Sequence, residues 1–146
     1  MVAGSAALVA CSSSSSGTDG ATGGGGSTAA SAKLSDIRST IFTGSCALSA
    51  SCHSGNNAAG LIDMSASRSN ADLIAAFKKP SMTWPTQGAI AVPGQPDQSL
   101  LMRLLDEKAC PIGGATCELM PQAGPALHAA QVQSIHDWIA GGMQDN

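Results

Sequence analysis

Tyrosine is absent from this chain of 146 residues, and two phenylalanines with two tryptophans are its whole aromatic complement. So few rings leave little material for stacking on bases. Charge is scarce too: seven Lys/Arg face ten Asp/Glu for a net charge of −3, and the basic residues form no stripe. Nucleic acid is therefore not an expected partner. No segment alternates apolar and polar residues with period two over a useful length, which argues against a sheet. No two cysteines are separated by two residues, the spacing that zinc sites of the thiolate type usually show. No internal repeat is evident.

What is present begins with a leader. Residues 1–10 are short and apolar and run into Leu8-Val9-Ala10-Cys11, which resembles a bacterial lipobox, where the signal is cleaved and the new N-terminal cysteine is lipidated. The segment is too short to span a bilayer, and it lacks a positively charged n-region, so the true start is left open. We read residues 1–10 as the remnant of a signal peptide and Cys11 as the lipidation site. Residues 12–32 are nearly all Ser, Gly, Ala and Thr with Asp19 the single charge, too polar and too small to form a core. Together residues 11–33 are expected to be a lipidated cysteine and a flexible tether with a reach of about 25 Å. The expected location is the cell envelope, periplasmic or at the outer membrane, where thiols are oxidised.

The remaining residues, 34–146, form one small domain. Leu34, Ile37 and Ile41 recur on one face with Phe42 beside them and Asp36 in the first turn, which predicts a helix. Thr43 to Gly60 reads as a loop. A second helix is expected from Asn70 as N-cap, turning Leu73, Ile74 and Phe77 inward and stopping before Pro80. Pro80, Pro85, Pro93, Gly94 and Pro96 make the next stretch a structured loop. Asp97 is expected to cap a third helix with Leu100, Leu101, Leu104 and Leu105 on its buried face. A last helix opens near His128 and Gln131, buries Val132, Ile135 and Ile139 with Trp138 at its edge, and ends at Gly141-Gly142. The expected fold class is all-α.

The chemistry lies in a cluster and a distant pair. Cys52 and His53 are adjacent, Cys46 stands six residues upstream of Cys52, and Met120-Pro121 precedes the last helix. A thiol beside an imidazole in an exported protein suits covalent haem attachment, with sulfur bonding a vinyl group and imidazole ligating iron. The order of helix, Phe42, Cys46, Cys52-His53, Met120-Pro121 and a terminal helix with Trp138-Ile139-Ala140-Gly141-Gly142 resembles a monohaem class I c-type cytochrome. The segment Val92-Pro93-Gly94-Gln95-Pro96-Asp97-Gln98-Ser99-Leu100-Leu101 resembles the cytochrome c-like domains of exported bacterial proteins. The resemblance covers residues 34–143. It implies a small cytochrome c-like helical domain, one covalently bound haem c held by Cys46, Cys52, His53 and Met120, and iron with His53 and Met120 as axial ligands.

One feature departs from the family. Its attachment motif has two residues between the cysteines, whereas five separate Cys46 from Cys52, and Ser49 occupies the position of the usual first cysteine. Two thioethers around a widened loop, a single thioether through Cys52, and a Cys46–Cys52 disulfide in a domain that has lost its haem are all open. His53 is expected to donate its other ring nitrogen to a loop carbonyl. Met64, Met82, Met102 and Met143 read as core filler, while His128 and His136 are substitute ligands only if Met120 is not one. Cys110 and Cys117 flank a short Gly/Pro loop and are expected to form a disulfide, worth about 2–3 kcal/mol by loop closure; a four-cysteine zinc site is the competing reading. The implied function is single-electron transfer rather than catalysis, with transient redox-protein partners and membrane contact through the lipid alone. The alternative is a haem-free, disulfide-braced lipoprotein domain serving as a binding or envelope module.

Overall fold

The computed structural model describes residues 32–49, 51–56, 58–106, 119–122 and 124–146. Among them every regular element is helical, and the only strand-like feature is an isolated antiparallel bridge between Pro80 and Ala89. The domain is all-α, as its hydrophobic periodicity predicts. The signal remnant, Cys11, most of the tether and the Cys110/Cys117 pair lie outside the described residues. None of the described helices is long and apolar enough to cross a membrane.

The first helix starts as α1, Leu34–Ile37, and continues as π-helical turns over Arg38–Cys46. Its wider hydrogen bonding shows where Ala47 N–H donates to Phe42 O at 2.8 Å. The helix therefore runs past Phe42 and carries Cys46 as its last residue, where the sequence predicts a loop from Thr43. Small residues in Thr43-Gly44-Ser45 signal a break, yet Ile41 and Phe42 lock the same turns into the core. Arg38 anchors the helix sideways: its guanidinium donates to Ser65 O at 2.6 Å and also to Asn70 Oδ1 and Arg68 O.

Helix α2, Asn70–Phe77, is capped by Ser69, whose hydroxyl accepts from Asp72 N–H at 3.1 Å. The cap is thus one residue before the expected Asn70. Helix α3, Leu100–Leu105, follows a 3₁₀ turn at Pro96–Gln98 that absorbs Asp97, so Ser99 and not Asp97 stands at the N-cap position. The Ser99 hydroxyl is turned into the preceding loop, accepting from Val92 N–H and donating to Gln95 O, both at 2.9 Å. Helix α4, Ala129–Ala140, opens where His128 N–H donates to Gln131 Oε1 at 2.9 Å and closes at Gly141, with Gly142 at φ 89°.

Packing follows the predicted faces. Leu34, Ile37, Ile41 and Phe42 meet Leu73, Ile74 and Phe77, and both groups meet Ile135, Trp138 and Ile139. Three of the four aromatic rings form a continuous contact through this core: Phe42 to Phe77 at 5.6 Å between centroids, then Phe77 to Trp138 edge-on at 6.0 Å. Such pairs add about 0.5–1.5 kcal/mol each beyond their burial. Trp138 is 1% exposed, so it is central, not at the edge of its helix, and its Nε1–H donates to Gln144 O at 3.0 Å. Val132 is only half-buried. Between α2 and α3 the Pro/Gly loop is sewn down at both ends, Ala91 N–H to Phe77 O at 2.8 Å and Gly94 N–H to Ile139 O at 2.7 Å. The Val92-Pro93-Gly94-Gln95-Pro96 stretch is thereby a strap across α4.

Candidate functional site

Cys46 closes the first helix, and the loop after it folds back on the helix end. His53 N–H donates to Cys46 O at 3.0 Å, Cys52 N–H to Ser49 O at 3.0 Å, and Met64 N–H to His53 O at 2.8 Å. These bonds tie an otherwise Ser/Gly/Asn-rich segment, with little apolar surface of its own, into a fixed shape. Ser49, at the position of the family's first cysteine, donates through its hydroxyl to Cys52 Sγ at 3.4 Å.

On the far side, Met120 N–H donates to Leu104 O at 2.9 Å, and the Met120 side chain packs with Leu100, Leu104 and Trp84. The Met120-Pro121 peptide is cis. Between the two walls lies a cavity of about 270 Å³ lined by Cys46, Cys52, His53 and Met120 together with Phe42, Met64, Trp84 and the leucines of α3. Residues separated by more than sixty positions in the chain, and singled out from sequence for one purpose, thus share one apolar hollow. His128 and His136 do not line it: His128 stands at the start of α4, and His136 faces Asp137 at 3.2 Å near the surface.

The imidazole of His53 is fixed as expected. Its Nδ1 lies 3.2 Å from Ile62 O. A carbonyl only accepts, so Nδ1 carries the proton and the Nε2 lone pair is left for a ligand. Burial lowers the pKa of the ring from its ordinary value, opposed more weakly by the carbonyls of Ile62 and Ala59 that favour the protonated form. The resulting neutral imidazole is the form that binds metal. Burial also pushes the Cys46 thiol up to about 11.

The cysteines differ in state. Cys46 is a free thiol and Cys52 is disulfide-bonded. A Cys46–Cys52 bridge, one of the readings left open by the spacing, is therefore not what forms; the other half of the Cys52 bridge lies outside the described residues, as does the expected Cys110–Cys117 pairing. No group of three or more His, Cys, Asp or Glu converges as a metal site among the described residues.

The remaining methionines divide. Met64 and Met143 are buried and Met102 is half-buried, but Met82 is 68% exposed and is not core filler. Sequence reasoning missed Trp84 and Met64 as cavity walls. Trp84 sits in a loop without periodicity, where its one available signal is the rarity of aromatic residues in this chain.

The donor set suits an iron porphyrin better than a bare ion: one imidazole and one thioether make a poor cage for a metal alone, whereas an apolar wall and two sulfur positions at its margin suit a flat macrocycle. Neither a family model, nor a curated protein, nor a solved structure matches the chain.

Proposed function

We propose that this domain is a single-electron carrier that holds one covalently attached haem c, tethered to a membrane through Cys11. The observation that carries the reading is the convergence of Cys46, Cys52, His53 and Met120 on one apolar cavity. Haem, when bound, supplies the one-electron couple; the chain supplies the rest. His53, its Nδ1 engaged by Ile62 O, would hold the iron through Nε2. Met120, steadied through its backbone by Leu104, would supply a thioether, a soft ligand that favours the ferrous state over a second imidazole. Phe42, Ile90, Leu100, Leu101, Leu104 and Ile135 exclude water from the interior wall. The cavity, about 270 Å³, lies near the lower end of the roughly 300–1,000 Å³ usual for small-molecule sites, and transfer to a transient protein partner would take place at its mouth.

A thioether requires Cys52 as a thiol, so attachment begins with reduction of its disulfide by a dithiol. Cys46 already offers a free thiol to the same cavity. The Cys52 disulfide is also the one observation favouring the haem-free, disulfide-braced envelope module, and a visible spectrum separates the two. Protein matured in a haem-attaching host is expected to show a low-spin spectrum with the weak near-infrared band of sulfur-to-iron charge transfer. Met120→Ala removes that band and opens the iron to carbon monoxide. A band that survives Met120→Ala but vanishes in Met64→Ala moves the ligand to Met64.

A further inference from the structure

Two sulfur-bearing residues are tied to the backbone of His53. Its N–H donates to Cys46 O at 3.0 Å, and its O accepts from Met64 N–H at 2.8 Å. Both sulfurs belong to one packing group: Met64, 3% exposed, is part of the main core cluster, and the free thiol of Cys46 packs against the same cluster. All three side chains line the cavity. Each is held in place. Cys46 ends the first helix, Met64 is fixed through its N–H, and the His53 ring is pinned by Nδ1 at 3.2 Å from Ile62 O, which leaves the Nε2 lone pair for a metal. Met120 belongs to the opposite wall, packed with Leu100 and Leu104, and Cys52 is already disulfide-bonded, so neither is counted with these three.

A thiolate, a thioether and an imidazole make a soft donor set. Thiolate and thioether sulfur are ligands that Cu(I) prefers, and imidazole also suits copper. Among the described residues no three of His, Cys, Asp or Glu converge, so a thioether is needed to complete the set. Zinc usually takes four ligands drawn from Cys, His and carboxylates, and a thioether serves it poorly. Charge decides in the same direction. Cu(I) with one thiolate is neutral, whereas a divalent ion would leave a net positive charge against Phe42, Ala59 and Ile62, which line the cavity beside these donors, at a desolvation cost.

We infer that the haem-free chain binds one Cu(I) ion through Cys46 Sγ, His53 Nε2 and Met64 Sδ. Binding forms a copper–sulfur bond to Cys46 and releases the thiol proton to solvent, with no change in oxidation state. His53 with Met120 makes a poor cage for a bare ion; His53 with the two sulfurs of its own wall does not. The site does not rest on the haem reading. It competes with haem instead, because both would take the same Nε2 lone pair.

The test uses full-length protein produced without a haem-attaching system and with its Cys52 disulfide intact. It is titrated anaerobically against Cu(I) held by bathocuproine disulfonate, whose coloured complex fades as the protein takes the metal. One Cu(I) per chain is expected. Met64→Leu, which keeps the apolar volume and so the fold, His53→Gln and Cys46→Ala should each weaken binding by at least about tenfold, the least that disturbing a metal's ligand shell usually costs. Met82→Ala, at an exposed position, should leave it unchanged. X-ray absorption at the copper edge of the wild type should show three-coordinate Cu(I) with two sulfur ligands and one nitrogen. No binding, binding that survives Met64→Leu, binding lost with Met120→Ala but not with Met64→Leu, or a copper shell without sulfur overturns the proposal. The haem reading is tested on matured protein by its visible spectrum, so failure of one is distinguishable from failure of the other.

Discussion

Removing the Cys46 thiol should abolish a specific loss of stability in alkali. The thiol is free, packed against the core and lifted by burial from 9.0 to about 11. A group whose folded pKa is raised binds its proton more tightly in the native state, so its stabilising contribution is complete below pH 9 and is lost as the pH climbs toward 11. At about 1.4 kcal/mol per unit, the haem-free protein loses about 1.4 kcal/mol by pH 10 and somewhat over 2 kcal/mol by pH 11 through this group alone. Urea unfolding followed by tryptophan fluorescence measures it, and because the chain has no tyrosine, no tyrosinate ionisation disturbs the signal. The two proteins share every other group, so the difference between wild type and Cys46→Ala isolates the thiol. Parallel curves for the two proteins from pH 8 to 11 would refute the buried, protonated thiol. Haem-loaded protein adds a second result: a thioether at Cys46 abolishes the alkaline loss, whereas a single thioether at Cys52 preserves it.

His53 has the opposite dependence, since its folded pKa is lowered: stability is complete above the unfolded value near 6.5 and declines as the pH falls below it, and His53→Gln should flatten that decline in haem-free protein. Ser99→Ala removes a fully buried hydroxyl and leaves the part-buried Val92 N–H and Gln95 O without it, and should cost about 1 kcal/mol in urea unfolding. Met82→Ala, by contrast, should change stability by less than about 0.5 kcal/mol, because its side chain is exposed; a larger loss would mean that it packs after all.

The fold was readable where period and burial coincide. Leu73, Ile74 and Phe77, or Ile135 and Ile139, repeat at one-face spacing and lie buried, and Gly141-Gly142 ends α4 because a left-handed residue is needed there. Boundaries were less readable, because the signals compete. Ser69 and Asn70 are both good N-caps, and hydrogen-bond geometry chooses Ser69; Pro96 pulls Asp97 into a 3₁₀ turn and leaves the N-cap position to Ser99. Thr43-Gly44-Ser45 weakens a helix locally, yet burial of Ile41 and Phe42 carries it on to Cys46. In the candidate site, Cys52-His53 and Met120-Pro121 stood out as chemistry, and the tertiary fold brings them to one cavity. Trp84 and Met64 could not be found this way, since they come from loops whose approach to the cavity is set by the fold, through backbone bonds such as Met64 N–H to His53 O. The state of the thiols was equally hidden, because spacing does not say which of several cysteines pair.

The most direct test of the haem reading is acid-acetone extraction of denatured protein after co-expression with a haem-attaching maturation system. Thioether-bound haem stays with the polypeptide, and the account predicts retained haem in wild type, none in Cys52→Ala, and retention with a shifted pyridine haemochrome in Cys46→Ala if both sulfurs are attached. Complete extraction from the wild type, or a polypeptide that never acquires haem, would contradict the electron-transfer function and leave the disulfide-braced module in its stead.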